Sequence, residues 1–144
     1  YTLWHTLSLH DALPISYCDA EVLAWSYDSS AARLTLSNER VLLNCCGDHT
    51  VKLTEEQGVY VMTETDAPEM TSVGPSRCHC MCVFDMEVSA EPIASGVIEL
   101  ELRRHVTDSG DGVQTLHRGK LDLSSGSGEL VISTRDAGLW CGNR

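Results

Sequence analysis

From Tyr17 onward no stretch repeats apolar residues at the 3.6-residue spacing of an amphipathic helix; apolar and polar residues alternate in short runs closed by Gly, Asp, Asn and Ser. A period of two puts one face of a strand in a core and the other in water, and it excludes the continuous apolar runs of a parallel α/β sheet. The runs cover residues 21–27, 32–36, 41–46, 50–54, 59–65, 78–88, 96–107, 113–123 and 129–134. Ser37-Asn38 closes the second run, 55–58 reads as a hairpin loop, and 66–76, with Pro68 and Pro75, reads as a longer connection. Turn clusters at 108–112 and 124–128 separate the last runs. The pattern predicts an antiparallel β-sandwich, Ig-like or jelly-roll-like, of about eight to nine strands.

A chain of 144 residues is long enough to bury a real core in one domain. With 21 acidic against 10 basic side chains and a formal charge of −11, it offers no basic stripe for nucleic acid or an anionic membrane. Its apolar runs fall far short of the roughly 20 residues of a membrane helix. A hydrophobic content of 42% excludes wholesale disorder. Glu55, Glu56, Glu64, Asp66 and Glu69 read as a solvated acidic rim.

The first sixteen residues are expected to be foreign to the fold. Thr6 to Ile15 reads Thr-Leu-Ser-Leu-His-Asp-Ala-Leu-Pro-Ile, which resembles one translated frame of a widely used short-read sequencing adapter along its whole length. The resemblance implies a metagenomic reading frame with untrimmed adapter at one end. A partial signal peptide fits poorly, because His10, Asp11 and Pro14 break the apolar stretch and no basic residues precede it. Setting 1–16 aside leaves 17–144 as a single β-sandwich domain. Losing Asp11 takes the acids from 21 to 20 against 10 bases, and all seven cysteines remain.

Those cysteines, Cys18, Cys45, Cys46, Cys78, Cys80, Cys82 and Cys141, are the one chemical signal. If Cys78-His79-Cys80-Met81-Cys82 lies in a regular strand, its three thiols share a face, and a rise of about 3.3 Å per residue places Cys78 and Cys82 about 13 Å apart. Zn–S bonds of about 2.3 Å cannot take both; a bulge or turn would have to draw neighbouring thiols together. Cross-strand and cross-sheet distances suit disulfides better. Adjacent Cys45 and Cys46 point to opposite faces of a regular strand, so only a strand that ends and twists near Gly47 lets both face the triplet. Three disulfides and one free cysteine are expected, mostly joining the triplet to Cys18, Cys45, Cys46 and Cys141, with the connectivity open. So many cysteines suit an oxidising compartment. The alternative is a zinc or copper site drawn from Cys45, Cys46, Cys78, Cys80 and Cys82. A weaker one is a thiol-redox pair, Cys80 with Cys82 or Cys45 with Cys46. Cys18 follows the bulky Tyr17, whereas a lipid-bearing cysteine follows a small residue, so an anchor would have to lie upstream.

Other polar residues have plainer readings. His79 is expected at the surface, and His105 and His117 on a polar hairpin face. Asp108 and Asp111 fit turn chemistry, because the rest of a calcium loop is missing. Trp25 and Trp140 are expected in the core, Trp25 beside a disulfide. No phosphate-binding glycine loop, H-E-x-x-H, G-x-S-x-G or dinucleotide fingerprint occurs, so no catalytic residues are assigned.

The element Asn44-Cys45-Cys46, followed by Cys78-His79-Cys80-Met81-Cys82-Val83-Phe84-Asp85, resembles uncharacterised exported bacterial proteins that carry N-C-C and C-x-C-x-C-x-F-D elements, often behind a lipoprotein-type signal. The resemblance implies an exported all-β domain and no known activity. The expected protein is a non-enzymatic, disulfide-stabilised structural or binding module, extracellular, periplasmic or attached to the outer envelope. Its expected partner is an unidentified protein or envelope component.

Overall fold

The computed structural model describes residues 20–134. The adapter-like segment, Cys18, Trp140 and Cys141 lie outside the described residues. Nine strands form the two sheets of a sandwich: β1 Glu21–Asp28, β2 Arg33–Asn44, β3 Gly47–Glu56, β4 Val59–Thr71, β5 Gly74–Ser76, β6 Met81–Ala90, β7 Val97–Val106, β8 Val113–Asp122 and β9 Ser127–Ser133. One sheet has the order β6-β2-β1-β9, the other β3-β4-β7-β8 with β5 paired to β4. Among the described residues no helix is long and apolar enough to cross a membrane.

The alternating residues meet between the sheets. Leu23 and Trp25 of β1, Leu34, Leu36, Val41 and Leu43 of β2, Met62 of β4, Leu100 and Leu102 of β7 and Met86 of β6 belong to one buried cluster. Trp25 stands opposite Leu36 on β2, far along that strand from Cys45 and Cys46, so it is a core residue with neither disulfide of the described residues beside it. At Gly128 an added Cβ would meet the Trp25 ring within 2.7–2.8 Å, so only glycine lets the indole lie across β9.

Two expected strands merge. Residues 33–36 and 41–44 belong to the single strand β2, Ser37-Asn38 lies within it, and Cys45 and Cys46 fall beyond its end. The apolar positions change phase, from Leu34 and Leu36 to Val41 and Leu43, because the register against β6 shifts between Asn38 and Val41. Arg40 takes a φ of 63° there, and its N–H donates to Asp85 Oδ1 at 3.0 Å. One extra residue restores the inward face without ending the strand. The connection expected over 66–76 instead continues β4 and folds back as β5.

The sheets are antiparallel except at one seam. β4 and β7 pair in parallel, Val59 with Glu99 through Asp66 with Val106. After β5 the chain crosses to the other sheet as β6 and returns as β7, and a crossover of that kind delivers a strand in the parallel sense. β2 passes to β3 in the opposite sheet through Cys45-Cys46 alone, so the cysteines stand at one end of the sandwich, where the chain changes sheets.

Candidate functional site: the cysteine end of the sandwich

β2 ends at Asn44, and Cys45 and Cys46 form a turn. Neither is therefore bound to the facing rule of a strand. Cys45 is joined to Cys82 with a Cα separation of 4.9 Å, and Cys46 to Cys78 at 5.4 Å. Both bonds tie the β2–β3 turn to the segment entering β6. The triplet is not a strand either: 77–80 is irregular with a bend at His79, and β6 begins only at Met81. That bend replaces the even spacing expected of the three thiols. Cys80, exposed and free, places its Sγ 3.1 Å from Cys78 Sγ.

Asn44 organises the turn. Its Nδ2 donates to the Cys78 carbonyl at 2.7 Å, and its Oδ1 accepts from Cys46 N–H at 3.0 Å, an Asx-type turn. Cys45 N–H donates to the Cys80 carbonyl at 3.1 Å. Sequence reasoning passed over Asn44 as a functional residue, although an Asn just before a vicinal cysteine pair signals a side chain able to close a turn.

Arg77, just before the triplet, was also missed. Its Nη2 donates to Asp108 Oδ1 at 2.6 Å, and its Nη1 pairs with buried Asp66. The hydrogen bonds from Arg77 hold the Asp108 carboxyl below the usual carboxylate range. Asp108 thus fixes the β7–β8 turn to the cysteine segment. His49 packs its ring on Phe84 at 4.3 Å, closing the edge between β3 and β6, and its Nε2 lies 3.3 Å from Asp66 Oδ1 without an aligned hydrogen bond. A Cβ at Gly47 would meet Asp66, His49 and Arg77, so glycine permits this close approach.

The acidic rim needs correction at two positions. Glu55, Glu56 and Glu69 are exposed, but Glu64 is 0% and Asp66 3% exposed. Both point inward along β4, Glu64 meeting Asn38 of β2 and Arg104 of β7, and Asp66 meeting Arg77 and His49. Glu64 accepts from Arg104 Nη2 at 2.7 Å and from Asn38 Nδ2 at 2.7 Å. Glu21 accepts from the same two groups at 2.5 and 2.8 Å. Burial is the largest influence on Glu64 and pushes its carboxyl up despite Arg104.

The remaining candidates do not converge. His79 is exposed, and His105 and His117 stand opposite Val113 and Leu102 rather than each other. Of the zinc or copper alternative, Cys46, Cys78 and Cys80 alone form a cluster among the described residues, their sulfurs all within 4.8 Å. Two of those three sulfurs are bonded to each other, so the oxidised cluster offers one thiolate and does not fit a metal. Cys45 and Cys82 are likewise joined to each other and outside it. The redox alternatives change as well, since Cys80 contacts Cys78 rather than Cys82, and Cys45 and Cys46 are bonded to different partners.

The chain matches no family model, no curated protein and no solved structure.

Proposed function

We propose that the protein is an exported, non-enzymatic β-sandwich module, structural or binding in role, held at its crossover end by disulfides and working in an extracellular, periplasmic or outer-envelope setting. The observation that carries this reading is the double staple, Cys45–Cys82 and Cys46–Cys78, at the point where the chain changes sheets. Such bonds persist in oxidising compartments and are rare where thiols are kept reduced. A shallow groove of about 310 Å³ at the same end, lined by Asn44, Met81, Asp66, Arg77 and Asp108 among others, is where a protein or envelope partner would meet it.

The sulfur cluster favours a second reading. Reduced, Cys46, Cys78 and Cys80 would supply three thiolates, a soft set suited to copper(I) or zinc. Thermal unfolding with and without dithiothreitol and EDTA separates the two. The stapled module loses stability sharply in dithiothreitol and ignores EDTA. Destabilisation of the reduced protein by EDTA would favour the metal reading.

A further inference from the structure

The third sulfur of the cluster is unused by the staples. Cys80 is exposed, and among the five described cysteines it alone retains a thiol. Its Sγ stands 3.1 Å from Cys78 Sγ, within the roughly 3–3.5 Å from which a thiolate attacks once its side chain turns into line with the Cys78–Cys46 bond. Two hydrogen bonds to backbone carbonyls hold it there: the Cys80 carbonyl accepts from Cys45 N–H, and the Cys78 carbonyl accepts from the Asn44 side-chain Nδ2. Nucleophile and electrophile are thus fixed on either side of the His79 bend, and Cys46, the other half of the bond, is held against Asn44 Oδ1 through its N–H.

We propose that Cys80, Cys78 and Cys46 form an internal thiol–disulfide exchange site, in which Cys80 attacks Cys78 and releases Cys46. Cys80 first gives its proton to solvent, because the thiolate is the nucleophile. The Cys80 Sγ–Cys78 Sγ bond forms as the Cys78 Sγ–Cys46 Sγ bond breaks, and Cys46 leaves as a thiolate that takes a proton from solvent. One disulfide and one thiol exist before and after, so no oxidant or reductant is consumed.

Exchange moves the free thiol from the exposed Cys80 to the half-buried Cys46 and unties the β2–β3 turn from residue 78. Cys45–Cys82 still holds that turn to β6. Cys80 is therefore the modification site that controls the second staple: a thiol-reactive group on Cys80 freezes Cys46–Cys78, and a free Cys80 leaves it exchangeable. The proposal rests on the Cys46–Cys78 bond of the stapled module, and the test separates the two.

The full chain is equilibrated at mildly alkaline pH, quenched and denatured in acid, and its free thiols are labelled with N-ethylmaleimide. Reduction and iodoacetamide then mark the cysteines that had been bonded. Trypsin cuts after Arg40, Lys52 and Arg77, placing Cys46 and Cys80 on different peptides. Maleimide on Cys46 above about 0.1% of the chains, the lower bound of a populated minor state, is expected in the wild type and absent in Cys80→Ser. That variant loses one exposed side chain and keeps both staples. A share below about 0.1%, or equal labelling of Cys46 in Cys80→Ser, overturns the exchange while leaving the staples intact. Full maleimide labelling of Cys46 and Cys78 in both proteins overturns the stapled reading as well.

Discussion

Two regions hold this sandwich together by different means. At the crossover end, Cys45–Cys82 and Cys46–Cys78 bind the β2–β3 turn to β6 covalently. In the interior, Glu21 of β1 and Asn38 of β2 meet Glu64 of β4 and Arg104 of β7, a polar tie from one sheet to the other. The covalent end answers to redox conditions. The polar tie answers to pH and is indifferent to reductant. A protein carrying both keeps its sheets in register by contacts that no single change of medium removes.

The staples are not equivalent to two independent cross-links. They close loops of 37 and 32 residues over nearly the same chain segment, so either one removes most of the unfolded-state entropy. On the loop-entropy argument the first bond contributes about 4 kcal/mol and the second about 2 kcal/mol. Replacing all four cysteines by serine is the largest expected loss, about 6 kcal/mol, against about 2 kcal/mol for either pair alone. Urea unfolding of the three variants measures this; equal losses that simply add would break the shared-loop argument.

The polar tie is tested next. Arg104→Met leaves Glu21 and Glu64 buried without their cation and is expected to cost about 3–5 kcal/mol at pH 7. Part of that loss returns at pH 4, where the Glu64 carboxyl, pushed up by burial, takes up its proton. A loss of the same size at both pH values would mean that packing rather than charge makes the tie.

The smallest effects are slopes of stability against pH. Glu64 is pushed above its ordinary value of 4.5 by burial, so it binds its proton more tightly folded than unfolded. Its contribution is full below pH 4.5 and is lost as pH rises through the folded value. Glu101, on the outer face of β7, runs the other way, held at about 2 by hydrogen bonds from Arg103 and Thr115. Its contribution is full above pH 4.5 and is lost as pH falls through about 2. Urea unfolding from pH 2 to 8 is expected to show a flatter upper limb in Glu64→Gln and a flatter lower limb in Glu101→Gln.

The two regions also differ in how far the sequence discloses them. Alternation located every strand but the short β5, because each has at least two inward positions that are apolar. It misjudged β2, where the phase change between Leu36 and Val41 reads as a chain break although a bulge at Arg40 carries the strand through. Which cysteines carry the chemistry was plain, but pairing depended on Cys45-Cys46 and Cys78–Cys80 leaving the strands, and alternation is blind to that. The polar tie was hidden. Glu64 and Asp66 look like surface acids because Arg104 and Arg77 lie in separate elements, and the parallel pairing that brings Arg104 opposite Glu64 is a long-range event. Local pattern reports which face a residue takes, and partners across a sandwich are set by topology.

An intact-mass count of thiols tests the staples most directly. The protein, made in an oxidising compartment, is denatured and alkylated without reductant. One alkylated cysteine, Cys80, is the expected result. Alkylation of all seven cysteines would contradict a disulfide-stapled module and turn attention to metal analysis of the native protein.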